Sequence, residues 1–257
     1  MKSKHKLVAG LVVLAIANAT HGFHLPQTET YDSVQSRVVR AIDEGTEDAL
    51  RAELLKREDR AVYSFGVALI DFYSHRMLAH QVRTKLPLAQ YGAIRTRIKR
   101  CMVHDPDAGY PVALYAWFVD NFREPGLAEP ERELLGIYKS TGPDGKVRDV
   151  PVYKVIADPA KRARVIELLN EALDLDKTNP LARYVSAAKS GSTQEAARLL
   201  WASMGEPGQY LWETDALSRI RFRLPDDETW QKKVAERVEL LRAKIGKDSQ
   251  RLRAYKF

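Results

Sequence analysis

The sequence predicts an all-α protein of antiparallel helical hairpins, stacked as a short solenoid or packed as an irregular bundle. A small β-hairpin or irregular loop interrupts it near residues 137–153. Three observations carry this. Apolar residues recur at three- and four-residue steps along most of the chain, the period of a helix with one buried face. Corner and capping residues break that rhythm at short intervals: Asp105-Pro-Asp107, Asn179-Pro180, Ser192-Thr-Gln-Glu195 and Pro225-Asp-Asp-Glu228. Cys101 is the single cysteine, so no intramolecular disulfide can form, and a large core or a stacked array must hold the fold.

The first segment reads as a secretory signal. Lys2, Lys4 and Lys6 precede the uncharged run Leu7 to Ala17, and small residues follow at Ala17-Asn-Ala19 and Thr20-His-Gly22. This is the three-part pattern of a cleaved leader, with the cut expected after Ala19 or Gly22. The apolar run is well short of the ~20 residues that span a bilayer as a helix. No cysteine stands at its end where a lipobox would place one, so lipid attachment is not expected, and the expected location is periplasmic or secreted. Loss of residues 1–22 removes three lysines and no acid, taking the net charge from +7 to +4. That mild excess on an exported chain points away from nucleic acid. It suits a weak contact with an anionic envelope surface, or an acidic protein partner.

The helices follow in order. Tyr31 to Asp43 sets Val34, Val38, Ala41 and Ile42 on one face. Thr46 opens a second helix with Leu50 and Leu54 inward, and Glu47/Arg51 and Glu53/Arg57 are spaced as i,i+4 ion pairs. Asp59 to about Val82 carries Val62, Phe65, Leu69, Phe72 and Arg76 at helical steps. Pro87 suits the first turn of a helix running to His104. Tyr110 to Phe122 is apolar nearly all round, the mark of a central buried helix. Pro130 opens a short helix through Leu134, Leu135 and Tyr138. Gly142-Pro-Asp-Gly145 then supplies turn chemistry between two runs able to pair as strands.

The second half is plainer. Pro159 starts a helix ending near Asp176, and Asn179-Pro180 caps and opens the next, to Lys189. Ser192 and Glu195 form a capping box ahead of Ala196 to Met204. Tyr210 to Arg221 is another helix. Pro225-Asp-Asp-Glu228 leads the last, with Trp230, Val234, Val238, Leu241 and Ile245 on one face and Gly246 as its stop. The parts are then a leader at 1–22, a helical half at 23–140, a turn-rich connection at 141–152, a repeat-like half at 153–246 and a basic, frayed tail at 247–257.

Residues 172–179, ALDLDKTN, resemble the end of the second helix of a tetratricopeptide repeat, A-L-x-L-D-P-x-N, with Lys177 where that pattern has proline. A second copy of the corner is Cys101-Met-Val-His-Asp-Pro-Asp107. Ala172 and Cys101 lie 71 residues apart, close to two repeats of 34. Leu169 and Val165 are matched by Ile98 and Ile94. The resemblance covers about 94–107 and 165–204. It implies a helical-hairpin array that binds proteins or peptides. After Pro180 the sequence departs from it, with Arg183, Ser186-Ala187 and Ser190 where an aromatic, Leu-Gly and Tyr belong, and with Gly191 cutting the helix short.

Catalytic patterns are thin. Cys101, His104 and Asp105 are close in sequence, but structural zinc needs four ligands, so a buried thiol is expected. His75/His80 lack the i,i+4 spacing of a zinc pair, and His21 and His24 flank the cleavage region. The acidic clusters Glu129/Glu131/Glu133, Asp226/Asp227/Glu228 and Asp43/Glu44 read as helix starts or solvated faces. No phosphate loop, G-x-S-x-G or H-E-x-x-H is present. No catalytic residue, metal ligand or cofactor is assigned. The expected function is an exported module binding a protein or peptide, such as an envelope scaffold or an immunity-type protein. The alternative is an envelope hydrolase of cell-wall or lipid material. The candidate binding residues are Tyr115, Trp117, Tyr210, Trp212, Arg219 and Arg221, aromatics beside arginines being what interface centres favour.

Overall fold

The structure is a computed structural model that describes residues 29–82, 88–122, 124–141, 145–246, 249 and 251–252, without the side chains of 75–82 and 88–90. The leader, Pro87, the pair His21/His24 and Gly142-Pro-Asp144 lie outside what is described, as do the side chains of His75 and His80. The remainder is mostly helical with one β-hairpin. In chain order the elements are α1 (Tyr31–Glu44), α2 (Glu47–Leu55), α3 (Ala61–Val82), α4 (Leu88–His104), α5 (Gly109–Phe122), β1 (Glu131–Thr141), β2 (Val147–Ala157), α6 (Pro159–Leu175), α7 (Pro180–Ala187), α8 (Thr193–Ala202), α9 (Glu213–Arg223) and α10 (Glu228–Ile245). Among the described residues, no helix is long and apolar enough to cross a membrane.

Local chemistry starts the helices where the sequence places the corners. The side chains of Asp158, Asn179, Ser192 and Asp227 accept from the backbone N–H groups of Lys161, Ala182, Glu195 and Trp230. Each such cap stabilises its helix by about 1 kcal/mol. Pro159 and Pro180 sit in first turns, where a missing N–H costs nothing. Gly246 ends α10 at φ 83°, backbone that few other residues tolerate.

Packing is largely between neighbours in the chain: α3 on α1, α2 and α4, then α4 on α5, α7 on α8, α8 on α9 and α9 on α10. Helix α5 is the pivot. Eleven of its fourteen residues are buried, and α3, α4, α6 and α7 cover it. Helix α6 runs back along it, because Lys161 and Arg164 lie against Asp120 and Glu124 while Ala172 meets Gly109. At Gly66 the fit of α3 is tight enough to exclude a side chain. A Cβ there would stand 2.5 Å from Val34 Cγ1 and 2.8 Å from Leu54 Cδ1.

Four local expectations change. Residues 131–141 form strand β1 rather than a short helix through Leu134, Leu135 and Tyr138, and the hairpin spans 131–157 rather than 137–153. Its partner run Val147–Ala157 offers β-branched and aromatic residues in register, and that pairing overrides the helical spacing of the leucines. Arg51 turns to Asp71 of α3 at 2.6 Å and Glu53 to Arg37 of α1 at 2.6 Å, tying helices together instead of bracing α2 internally. The region after Gly246 is not all frayed. Ser249, Arg251 and Leu252 are buried. The fully buried Arg251 guanidinium donates to both Asp43 oxygens at 2.7 and 2.6 Å, and to the Tyr210 carbonyl at 2.9 Å. So Asp43, read as part of a solvated pair, anchors the last described residues to α1.

Arg251→Ala strips Asp43 of its partner inside the protein, and a loss of about 3 kcal/mol is expected. Urea denaturation beside the parent chain measures it; a loss below about 0.5 kcal/mol, the range of surface substitutions, shows the contact to be incidental. Gly66→Ala is expected to cost about 1–2 kcal/mol, crowding against Val34 and Leu54 outweighing its better helix propensity.

Candidate interaction surface

Helices packed this closely bury the predicted binding aromatics, although Tyr210 borders a depression of about 210 Å³ with Tyr110 and Asp32. Tyr115, Trp117, Tyr210 and Trp212 are all buried. They belong to a chain of ring contacts through the core: Phe72 to Trp117 at 4.5 Å, Trp117 to Tyr184 at 5.5 Å, Tyr184 to Trp212 at 5.9 Å, and Trp212 to Tyr210 at 4.8 Å. Edge and offset ring contacts of this kind add to burial energy. The aromatic stripes are therefore core, and that assignment corrects the expectation. Arg219 is held by Asp215 at 2.7 Å and lies over the Tyr184 ring. Arg221 stands apart from the aromatics, on the rim of a shallow depression of about 450 Å³ floored by Val234 and Val238.

The titratable groups have structural partners. Burial pushes the Cys101 thiol up to about 11, so it is neutral and inert at ordinary pH. His104 beside it is exposed, and Asp105 accepts the Tyr31 hydroxyl at 2.9 Å. Asp227 caps α10, and Glu129 pairs with Arg132 in solvent. Among the described residues, no three His, Cys, Asp or Glu side chains are grouped so as to hold a metal ion. The sequence reading passed over two acids. Glu213 is almost fully buried, and desolvation raises its pKa against the pull of Arg237 at 2.6 Å and the Gly208 N–H at 2.7 Å. Glu124 lies just past α5, where Tyr115, Lys99 at 2.9 Å and Arg164 at 3.2 Å converge on it. Desolvation would raise its pKa, but the hydrogen bonds from Tyr115 and Lys99 prevail and hold it below the ordinary glutamate value.

Most of the exposed large apolar residues described are on the hairpin; Val103, Ile166, Leu175, Phe222 and Leu240 are spread over the helices. β1 and β2 are eleven-residue antiparallel strands joined only to each other as a sheet. Every strand residue is exposed except the half-buried Ser140, Val150 and Ala157. Leu135, Ile137, Val147 and Ile156 each expose more than 60% of their surface. Side chains alternate between faces along a strand, so the register sorts them. Ile137 opposite Pro151, Leu134 opposite Tyr153, and Thr141 opposite Val147 share one face with the pairs Lys139/Asp149 and Arg132/Val155. Tyr138 opposite Val150 and Gly136 opposite Val152 share the other with Glu133/Lys154 and Ser140/Arg148. Leu135 is the extra residue of a bulge between Leu134 and Gly136. Each face thus has an apolar centre and a cross-strand pair of opposite charge. β-Branched and aromatic composition was the available signal, but apolar residues are read as core by default, and exposure was not legible.

No protein-family model, curated protein or solved structure matches this chain.

Glu124 gives the helical body a pH signature. Its folded pKa is depressed, so its contribution to stability is complete above the unfolded value of about 4.3 and is lost as pH falls through the folded value. In acid titrations followed by circular dichroism, Glu124→Gln is expected to be less stable at pH 7. It is also expected to lose less stability than the parent below about pH 4. Parallel acid curves would show that Glu124 is not charged in this network.

Proposed function

We propose that this chain is an exported protein-binding module in which a rigid helical body presents a β-arm, residues 131–157, to a protein partner. The single observation behind this is the arm's exposed apolar surface on both faces of an otherwise solitary hairpin. A two-stranded ribbon in water gains little from its own packing, and uncovered Leu, Ile, Val and Tyr side chains gain most from a protein that covers them. Export rests on the Lys2 to Gly22 pattern, and the tetratricopeptide-like corners at 101–107 and 172–179 agree with a binding role. Envelope scaffolding and toxin immunity are the two settings that suit such a module. The reading as an envelope hydrolase has less behind it. Glu213, the most buried carboxylate described, is already engaged by Arg237 and the Gly208 N–H.

The test is a variant with four exposed residues made polar: Leu134→Ser, Ile137→Ser, Tyr153→Ser and Val155→Ser. The body should keep its thermal midpoint, because surface changes shift stability by about 0.5 kcal/mol or less each. Envelope proteins retained by the immobilised parent chain at low and moderate salt should bind the variant at least about tenfold more weakly. An identical retained set on both chains would count against the arm as the contact element.

A further inference from the structure

Resting on that reading, we infer that the protein the arm takes on its more exposed face is a second copy of this chain. The two arms stack face to face about a twofold axis that runs along the strands.

Register and exposure choose the face. It carries the pairs Arg132/Val155, Leu134/Tyr153, Ile137/Pro151, Lys139/Asp149 and Thr141/Val147. All of these residues are exposed. Away from the base, the half-buried strand residues are Ser140 and Val150, and both belong to the other face.

The ribbon needs a second layer. Two strands by themselves are marginal in water, and packing against another element is what makes them stable. Stacked sheets lie about 10 Å apart, with strand directions within about 30° of each other. A second arm laid on this face forms a two-layer, four-stranded unit. Leu134, Ile137, Tyr153 and Val155 then leave water on both arms together.

Charge selects a copy as that layer. Arg132 is held by Glu129 at 3.0 Å, which leaves Lys139 and Asp149 as the balance of the face. The face is thus neutral and does not repel itself, although the chain as a whole carries +7. Lys139 and Asp149 stand opposite each other in the register, yet among the described residues neither side chain has an ionic partner. In the twofold stack β1 of one arm lies over β2 of the other. Lys139 then meets Asp149 of the second copy, and Asp149 meets its Lys139. Leu134 and Ile137 meet its Tyr153 and Pro151. Contacts that recur with the roles exchanged are what a twofold interface requires. Arms stacked antiparallel about Ile137 would instead press Lys139 and Asp149 against Leu134 and Tyr153, leaving both charges unpaired on apolar surface. A different protein would have to bring the same acid and base in exchanged order; a second copy brings them by construction.

The test is sedimentation equilibrium of the purified chain across the micromolar range, where the parent is expected to approach twice the monomer mass. Lys139→Asp leaves the facing pair all acidic, and Asp149→Lys leaves it all basic. Each variant alone is expected to associate at least about tenfold more weakly, because like charges then meet at both symmetric contacts. Mixed in equal amounts, the two variants are expected to recover association to within about threefold of the parent, since each brings the charge the other lacks. Circular dichroism matching the parent separates these effects from unfolding. A parent that stays monomeric throughout would overturn the paired arms and leave the proposed function to the capture experiment above. Association that neither reversal weakens would lie elsewhere on the molecule and overturn the proposal too. Weakening without recovery on mixing would remove the twofold, the charges then acting within their own arm.

Discussion

Helix α5 has no side to turn toward water, and the layout of the body follows from that constraint. A helix apolar all round must be covered all round, and α3, α4, α6 and α7 supply the cover. Its polar atoms must also be satisfied where they are buried. The hydroxyls of Tyr110 and Tyr115 do this by reaching Asp32 and Glu124. Through these bonds α1 and α4 to α6 are bound to one element. Trp117 continues the arrangement into the second half through Tyr184 and Trp212.

The chain leaves α5 and returns on α6, and the described residues of 131–157 between them add no side chain to that core. An insertion there meets no packing demand from the helices. The arm occupies this tolerant place. Body and arm are thereby separated: one part supplies nearly all the buried apolar surface, and the other exposes what it has. Covering the arm would also order a ribbon with little stability of its own, so some of the gross contact energy goes into that ordering.

Much of the body was legible in the sequence because its signals are local. Pro159, Asn179, Ser192 and Asp227 declare helix starts by local chemistry, and the run from Tyr110 to Phe122 declares its burial by composition. What escaped depends on distant partners. Glu131 to Thr141 has helix-like spacing at Leu134, Leu135 and Tyr138, and only pairing with Val147–Ala157 makes it a strand. Tyr115, Trp117, Tyr210 and Trp212 look alike whether they line a groove or fill a core; packing decides. Arg51 has an acid at helical spacing and yet bonds to one twenty residues away. The arm's exposure was hidden for the same reason, since its apolar residues read like core residues until their surroundings are known.

The Arg251–Asp43 contact joins residues 208 positions apart in the chain. On a ribosome adding ~5–20 residues each second, roughly 10–40 s separate the appearance of the acid from that of its base. Throughout that interval α1 exists without its final clasp. The nascent protein therefore stays incompletely closed until its far end has been made, and any machinery that handles it before then meets a looser molecule than the finished one.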